Sequence, residues 1–161
     1  MKIKKDKIFR YERKWVYNNK TYDQLKVQLL RSNFYFREQF SERKVNFIYF
    51  DDQNYSSIRE NLDGVSKKKK YRLRWYGESS IICNPVFEIK SKTGFRVKKK
   101  IFPIKELDNL LLADYVNLDK VNKYINNKFN FKKKIMPILT THYVRNYFIS
   151  SNNLVRATLD K

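Results

Sequence analysis

The chain has 161 residues, 42% of them hydrophobic and 16% aromatic, which suits one domain with a packed core. Lysine and arginine number 36 against 16 acidic residues, a formal net charge of +20, so an anionic partner is expected: phosphate chains, nucleic acid or acidic lipid. The single cysteine, Cys83, excludes an intrachain disulfide and a cysteine zinc site, and the single histidine, His142, argues against a histidine-rich metal site. Gly64, Gly77 and Gly94 stand alone, so no Gly-rich phosphate loop is present. The basic N-terminus leads into no signal peptide and no bilayer-spanning segment, and a soluble, cytoplasmic protein is expected.

The first predicted element is a strand, Ile8 to Tyr17, with Arg10, Glu12 and Lys14 on one face. Thr21 and Gln24 match a capping box, and Tyr22, Leu25 and Leu29 recur at helical spacing, which predicts a helix from Tyr22 to Ser32. The aromatic residues from Phe34 to Phe40 fit neither period. Lys44 to Phe50 reads as a strand, and Tyr55 to Asp63 as a short helix closed by Asp63-Gly64. After the run Lys67 to Lys70 comes the strand Tyr71 to Tyr76, then a loop to Pro85. Val86 to Lys92 and Phe95 to Ile101 form a hairpin around Thr93-Gly94.

Pro103 marks a helix start, with Leu107, Leu110, Leu111 and Tyr115 as its stripe. A further helix reaches Phe129, with Val121, Tyr124 and Ile125 on one side. Ile138 to Ser150 is a long strand, and Leu154 to Leu159 follows the turn at Ser151-Asn152-Asn153. Hairpin-type links dominate, so the class is α+β with an antiparallel sheet.

Charged residues alternate with apolar ones along these strands. Arg72 and Arg74 share a face; so do Glu88, Lys90 and Lys92; so do Arg96, Lys98 and Lys100. Arg145 lies with Tyr143 and Tyr147, and Arg156 with Asp160. A flat sheet could not gather these rows, whereas a strongly curved or closed barrel could. Buried unpaired cations are costly, so such an interior must hold water, carboxylates and an anionic ligand. Arginine suits phosphate oxygens bidentately and lysine supplies a mobile point charge.

The order of motifs resembles the VTC domain, the polyphosphate-polymerase branch of the triphosphate tunnel metalloenzyme superfamily. The matching pieces are Arg10-Tyr11-Glu12-Arg13-Lys14, Val45 to Asp51, Tyr71-Arg72-Leu73-Arg74-Trp75-Tyr76-Gly77 and Phe87-Glu88-Ile89-Lys90. Val97-Lys98-Lys99, Pro137-Ile138-Leu139, Tyr143-Val144-Arg145 and Arg156 to Asp160 follow in order.

This resemblance implies an antiparallel β tunnel with helices packed outside, a single domain over residues 1–161. It implies phosphate binding by Lys14, Arg72, Arg74, Lys90, Lys98, Arg145 and Arg156, with Glu12 and Glu88 as lumen carboxylates. The implied activity is ATP-dependent transfer of a γ-phosphoryl group to a growing polyphosphate chain. It needs a divalent metal, manganese or magnesium, and no protein nucleophile. ATP and inorganic polyphosphate are the expected partners, a specific nucleic acid is not, and a membrane partner protein is compatible with the reading. The family pattern continues past the Arg-x-Thr-x-Asp strand, so the tunnel is expected to be incomplete at its C-terminus, with the metal-binding glutamate beyond Lys161.

Two other functions fit the same residues. One is hydrolysis of triphosphate or polyphosphate in the same fold; the other is binding of polyphosphate or nucleic acid without catalysis. The runs Lys67 to Lys70 and Lys132 to Lys134 read first as solvated faces. His142 has the parity of the outer face or core, and Cys83 reads as structural or incidental.

Overall fold

A computed structural model describes residues 12–94, 96–112 and 115–161. Helix α1 (Tyr22–Leu30) opens with the expected capping box. The Thr21 hydroxyl accepts from the Gln24 amide at 3.3 Å, and Gln24 Oε1 accepts from the Thr21 amide at 2.9 Å. Strand β1 (Arg37–Asp52) starts well before Lys44 and takes in the second half of the ambiguous aromatic stretch, from Arg37 to Phe40. Asp51 and Asp52 close it and cap α2 (Ser56–Leu62). The Asp51 carboxylate accepts from the Ser57 and Ile58 amides at 2.9 and 3.0 Å, and Asp52 Oδ1 from the Ser56 amide at 3.0 Å.

Strand β2 (Lys67–Tyr76) includes the whole lysine run, which is therefore part of the sheet. Strand β3 (Ile81–Ile82) interrupts the next loop, and β4 (Val86–Thr93) and β5 (Arg96–Pro103) form the predicted hairpin. The helix expected from Pro103 does not form. Pro103 ends β5, and a single 3-10 turn, Lys105–Leu107, leads to strand β6 (Leu110–Leu111), paired with β3. Asn109 adopts φ +60°, which breaks a helix, and its amide donates to the Ile82 carbonyl at 2.7 Å. Helix α3 (Tyr115–Phe129) is followed by β7 (Ile135–Ile149) and β8 (Arg156–Asp160).

The predicted first strand is corrected in part. Ile8 to Tyr11 lie outside the described residues, and residues 12–17 form no strand and are exposed. Nothing in their sequence is wrong for a strand, but no described neighbour pairs with their backbone.

The main sheet has the order β5-β4-β2-β1-β7-β8, every pair antiparallel, and it curls into half a barrel. Its outer face carries the core: Ile48, Phe50, Leu73, Trp75 and Phe87 pack against Val121 and Ile125 of α3, with Ile82, Ile104 and Leu107 beside them. Phe87 stacks on Phe129 at 4.8 Å, an aromatic pair that adds about 1 kcal/mol to the gain from burial. Asn126 fastens the end of α3 to the start of β7: its side chain donates to the Ile135 carbonyl at 2.7 Å and accepts from the Ile135 amide at 2.9 Å. Near β8, α1 lies on the same outer side, where Lys161 Nζ sits 4.5 Å from the Tyr22 ring centre. Helices thus cover one side of the sheet, and the concave side carries the rows of Arg72 with Arg74 and of Glu88 with Lys90 and Lys92. Among the described residues no helix is long and apolar enough to cross a membrane.

Candidate functional site

Strand β2 sends Tyr71, Leu73 and Trp75 into the core, so alternation turns Lys68, Lys70, Arg72, Arg74 and Tyr76 to the concave face. Cross-strand pairing extends this face. Arg72 lies opposite Glu88 and Lys70 opposite Lys90 on β4; Lys90 lies opposite Lys99 on β5. On the other wall, Phe47 and Tyr49 of β1 continue into Tyr143 and Arg145 of β7, and Arg145 lies opposite Asp160 on β8.

Glu88 is the hub of the first wall. Its carboxylate is 1% exposed and is shared by three cations. Arg72 Nε and Nη2 both lie 2.6 Å from Oε2, Lys99 Nζ is 2.8 Å from Oε1, and Arg74 Nε is 3.3 Å from Oε1. Burial alone raises the Glu88 pKa, but the close Lys99 ammonium and the guanidinium groups of Arg72 and Arg74 outweigh it and hold the carboxyl below its ordinary range. One negative charge answers three positive ones, so this wall keeps a positive excess in a partly dry setting. That excess is costly by itself and is relieved by an anion.

The arginines rest on an aromatic floor. The Arg72 guanidinium lies 4.4 Å above the Phe47 ring, and Arg74 4.9 Å from the Tyr76 ring. Arg74 also donates to the Tyr76 hydroxyl at 2.6 Å. Such stacking fixes the plane of a guanidinium and leaves its edge donors for a ligand. The buried Arg74 Nε has no hydrogen-bond acceptor among the described residues.

On the second wall Arg145 makes a bidentate pair with Asp160, Nε to Oδ1 and Nη2 to Oδ2, each 2.6 Å. This pair raises the Arg145 pKa further, so the group is a permanent cation. Arg156 shares the face of Asp160 at the far end of β8 and is exposed.

Among the residues expected at the site, Arg72, Arg74 and Glu88 form one cluster, Lys90 lies on the next rung of the same face opposite Lys70, and Arg145 and Arg156 lie on the facing wall of the same concave surface. Lys98 does not join them. Thr93 pairs with Arg96, so two residues link β4 to β5, and even-numbered residues on β4 face the same way as odd-numbered ones on β5. Lys99 therefore shares the face of Glu88, while Lys98 lies opposite Ser91 on the outer face with Arg96 and Lys100. Lys14 and Glu12 lie off the sheet in the exposed segment, 3.3 Å apart. Lys14 is still near enough to the lysine rungs to help depress the Lys70 pKa. His142 is exposed on the outer face opposite Asn46, consistent with its parity.

Sequence reasoning missed Arg43. It lies opposite Arg145. Its guanidinium sits 5.1 Å from the Phe40 ring and 5.5 Å from each of Tyr76 and Tyr147. It has no ion pair among the described residues. Ser41-Glu42-Arg43-Lys44 reads as polar, and register shifts on both sides of Phe40 break the alternation that would reveal it. Phe40 three residues before Arg43 was the available signal.

The described residues do not supply a metal cage. No group of three carboxylate, histidine or cysteine side chains is gathered among them. Glu88 is engaged by three cations and Asp160 by Arg145, so neither has the free oxygens of a hard-cation site.

What this face can do chemically is hold a chain of phosphate oxygens between two cationic walls and exchange their charge for its own. No curated protein gives a significant match to the chain. The family model of the VTC domain matches residues 9–161, which includes every strand of both walls. The chain belongs to the VTC domain family.

Proposed function

We propose that this domain is a polyphosphate-polymerase-like phosphotransferase that moves the γ-phosphoryl group of ATP onto a growing polyphosphate chain. The observation that carries the reading is the cluster of Arg72, Arg74 and Lys99 around the single buried carboxylate of Glu88. In that reaction a terminal oxygen of the acceptor chain attacks the γ-phosphorus, the bridging bond to the β-phosphate breaks, and ADP leaves. Little covalent chemistry is asked of the protein; alignment of the phosphates and neutralisation of their charge supply the acceleration. Arg72 and Arg74, locked by Glu88 and their aromatic floor, are placed to hold the transferring group. Lys90, Lys99, Arg145, Arg156 and Arg43 would line the path of the chain, with Lys14 at its margin. Glu88 acts as an orienting group for the cations rather than as a proton carrier. A manganese or magnesium ion, in this reading, would supply further neutralisation of phosphate charge, for which the described residues offer few free carboxylates.

The test is incubation of the purified chain with ATP and manganese or magnesium, with products resolved on a gel. Long phosphate polymers that disappear in the Arg72→Ala, Arg74→Ala variant support the proposal. Free phosphate without polymer identifies a hydrolase. Tight polyphosphate binding without turnover identifies a binding module.

A further inference from the structure

The run Lys67 to Lys70 is not a uniform solvated patch, because its residues take opposite faces of β2. Lys68 and Lys70 lie on the concave side, Lys67 and Lys69 on the helix-bearing side. Across the ladder, Lys68 faces Lys92 and Lys70 faces Lys90. Two rungs of paired lysines thus continue the concave face beyond the rung of Arg72 and Glu88. Neighbouring strands are about 5 Å apart and successive same-face residues about 7 Å, so four ammonium groups share a small frame. Like charges directly opposite one another destabilise a sheet. No carboxylate pairs with any of the four among the described residues. The neighbourhood is cationic enough that loss of hydration, followed by the charges of Lys68, Lys90, Lys14 and Arg72, lowers the Lys70 pKa. The other face of the same strand differs in its acids: Lys67 and Lys69, with part of Lys68, border a cleft that Asp51, Asp52 and Glu60 also line.

We propose that Lys68, Lys92, Lys70 and Lys90 form a second anion track that holds the part of a long inorganic polyphosphate chain lying beyond the Arg72–Arg74 cluster. The track makes the domain prefer long chains over tripolyphosphate. A triphosphate seated at Arg72 and Arg74 does not reach the outer rung, whereas a long chain lies along both. This inference rests on the reading of the concave face as a phosphate site, and it adds a length-selecting element to that site.

The experiment measures affinity of the full chain for inorganic tripolyphosphate and for long-chain inorganic polyphosphate over a range of salt. Three proteins are compared: wild type, Lys68→Gln with Lys92→Gln, and a control, Lys67→Gln with Lys69→Gln, which removes the same charge from the other side of β2. The ladder variant is expected to lose long-chain affinity by about tenfold or more, to keep tripolyphosphate affinity within about twofold, and to lose roughly one unit of salt slope per lysine. The control is expected to keep the long-chain preference. Equal losses in the two variants would mean that net charge alone attracts the chain, and would overturn the proposal. An unchanged preference in the ladder variant would overturn it as well. A wild type that binds both probes equally would remove the ladder while leaving the phosphate site intact. A wild type that binds neither would remove both readings.

Discussion

Arg72 and Glu88 face each other across the β2–β4 ladder, and both Nε and Nη2 of the guanidinium lie 2.6 Å from one carboxylate oxygen. The other oxygen of Glu88 is left to Lys99 and Arg74. This division explains why a buried acid survives in the middle of a cationic face. Without it, three cations would lose their common counter-ion.

Glu88→Gln is therefore expected to destabilise the fold by about 3 kcal/mol, the lower end for breaking a buried pair, because the cations keep part of their hydration. Chemical denaturation of the two proteins checks this. A change below about 0.5 kcal/mol, the range of ordinary surface substitutions, would show that Glu88 contributes nothing to the sheet.

Acid should weaken the same contact. The folded-state pKa of Glu88 lies below its ordinary value of 4.5, so its contribution to stability is fully present above that value. It is lost as pH falls through the lower folded-state pKa, where the native carboxylate takes up its proton. Denaturation midpoints measured downward from neutral pH should show the wild type converging on Glu88→Gln below pH 4.5. Parallel curves for the two proteins would contradict the assignment.

Lys98 and Lys99 offer a test of the hairpin register. Lys99→Ala should weaken tripolyphosphate binding by about tenfold, the usual scale for losing one charged hydrogen bond, while Lys98→Ala leaves it nearly unchanged. The reverse result would place the β5 faces the other way round.

Arg43 provides a test on the facing wall. Its guanidinium is held by Phe40, Tyr76 and Tyr147 and not by an acid among the described residues. Arg43→Ala should reduce polyphosphate affinity by roughly tenfold with little loss of stability, and Arg43→Lys should recover only part of it, since an ammonium does not stack or fork as a guanidinium does. Full recovery by lysine would mean that charge alone matters there.

In the core, Phe87→Ala should cost about 3 to 5 kcal/mol, because the side chain is fully buried and stacks on Phe129. Thermal unfolding measures it directly. A small cost would mean that α3 is not seated on the sheet as described.

Much of this molecule was readable in its residues. Alternation over Tyr71 to Tyr76 and Val86 to Lys92 marked strands with cations on one side, and Thr21 with Gln24 marked the start of α1. The lysine run was readable as charge but not as structure. Four consecutive lysines carry no period, and only pairing with Ser91, Lys92 and their neighbours makes them part of β2. The stripe after Pro103 misled because leucines at helical spacing also suit a turn whose backbone pairs elsewhere, as Asn109 does with Ile82.

The sequence by itself determined that successive side chains of each strand would take opposite sides, since a period of two allows nothing else, and over Tyr71 to Tyr76 this parts Arg72 and Arg74 from Tyr71, Leu73 and Trp75. Which rows would meet was decided by tertiary structure. A shift of one residue in register sends a whole row to the other face, and the register depends on loop length and bulges that alternation does not record. The two-residue link between Thr93 and Arg96 placed Lys99 beside Glu88 and turned Lys98 away. The irregular pairing around Phe40 brought Arg43 opposite Arg145. Residue order specified the charges, and the pairing of strands specified their company.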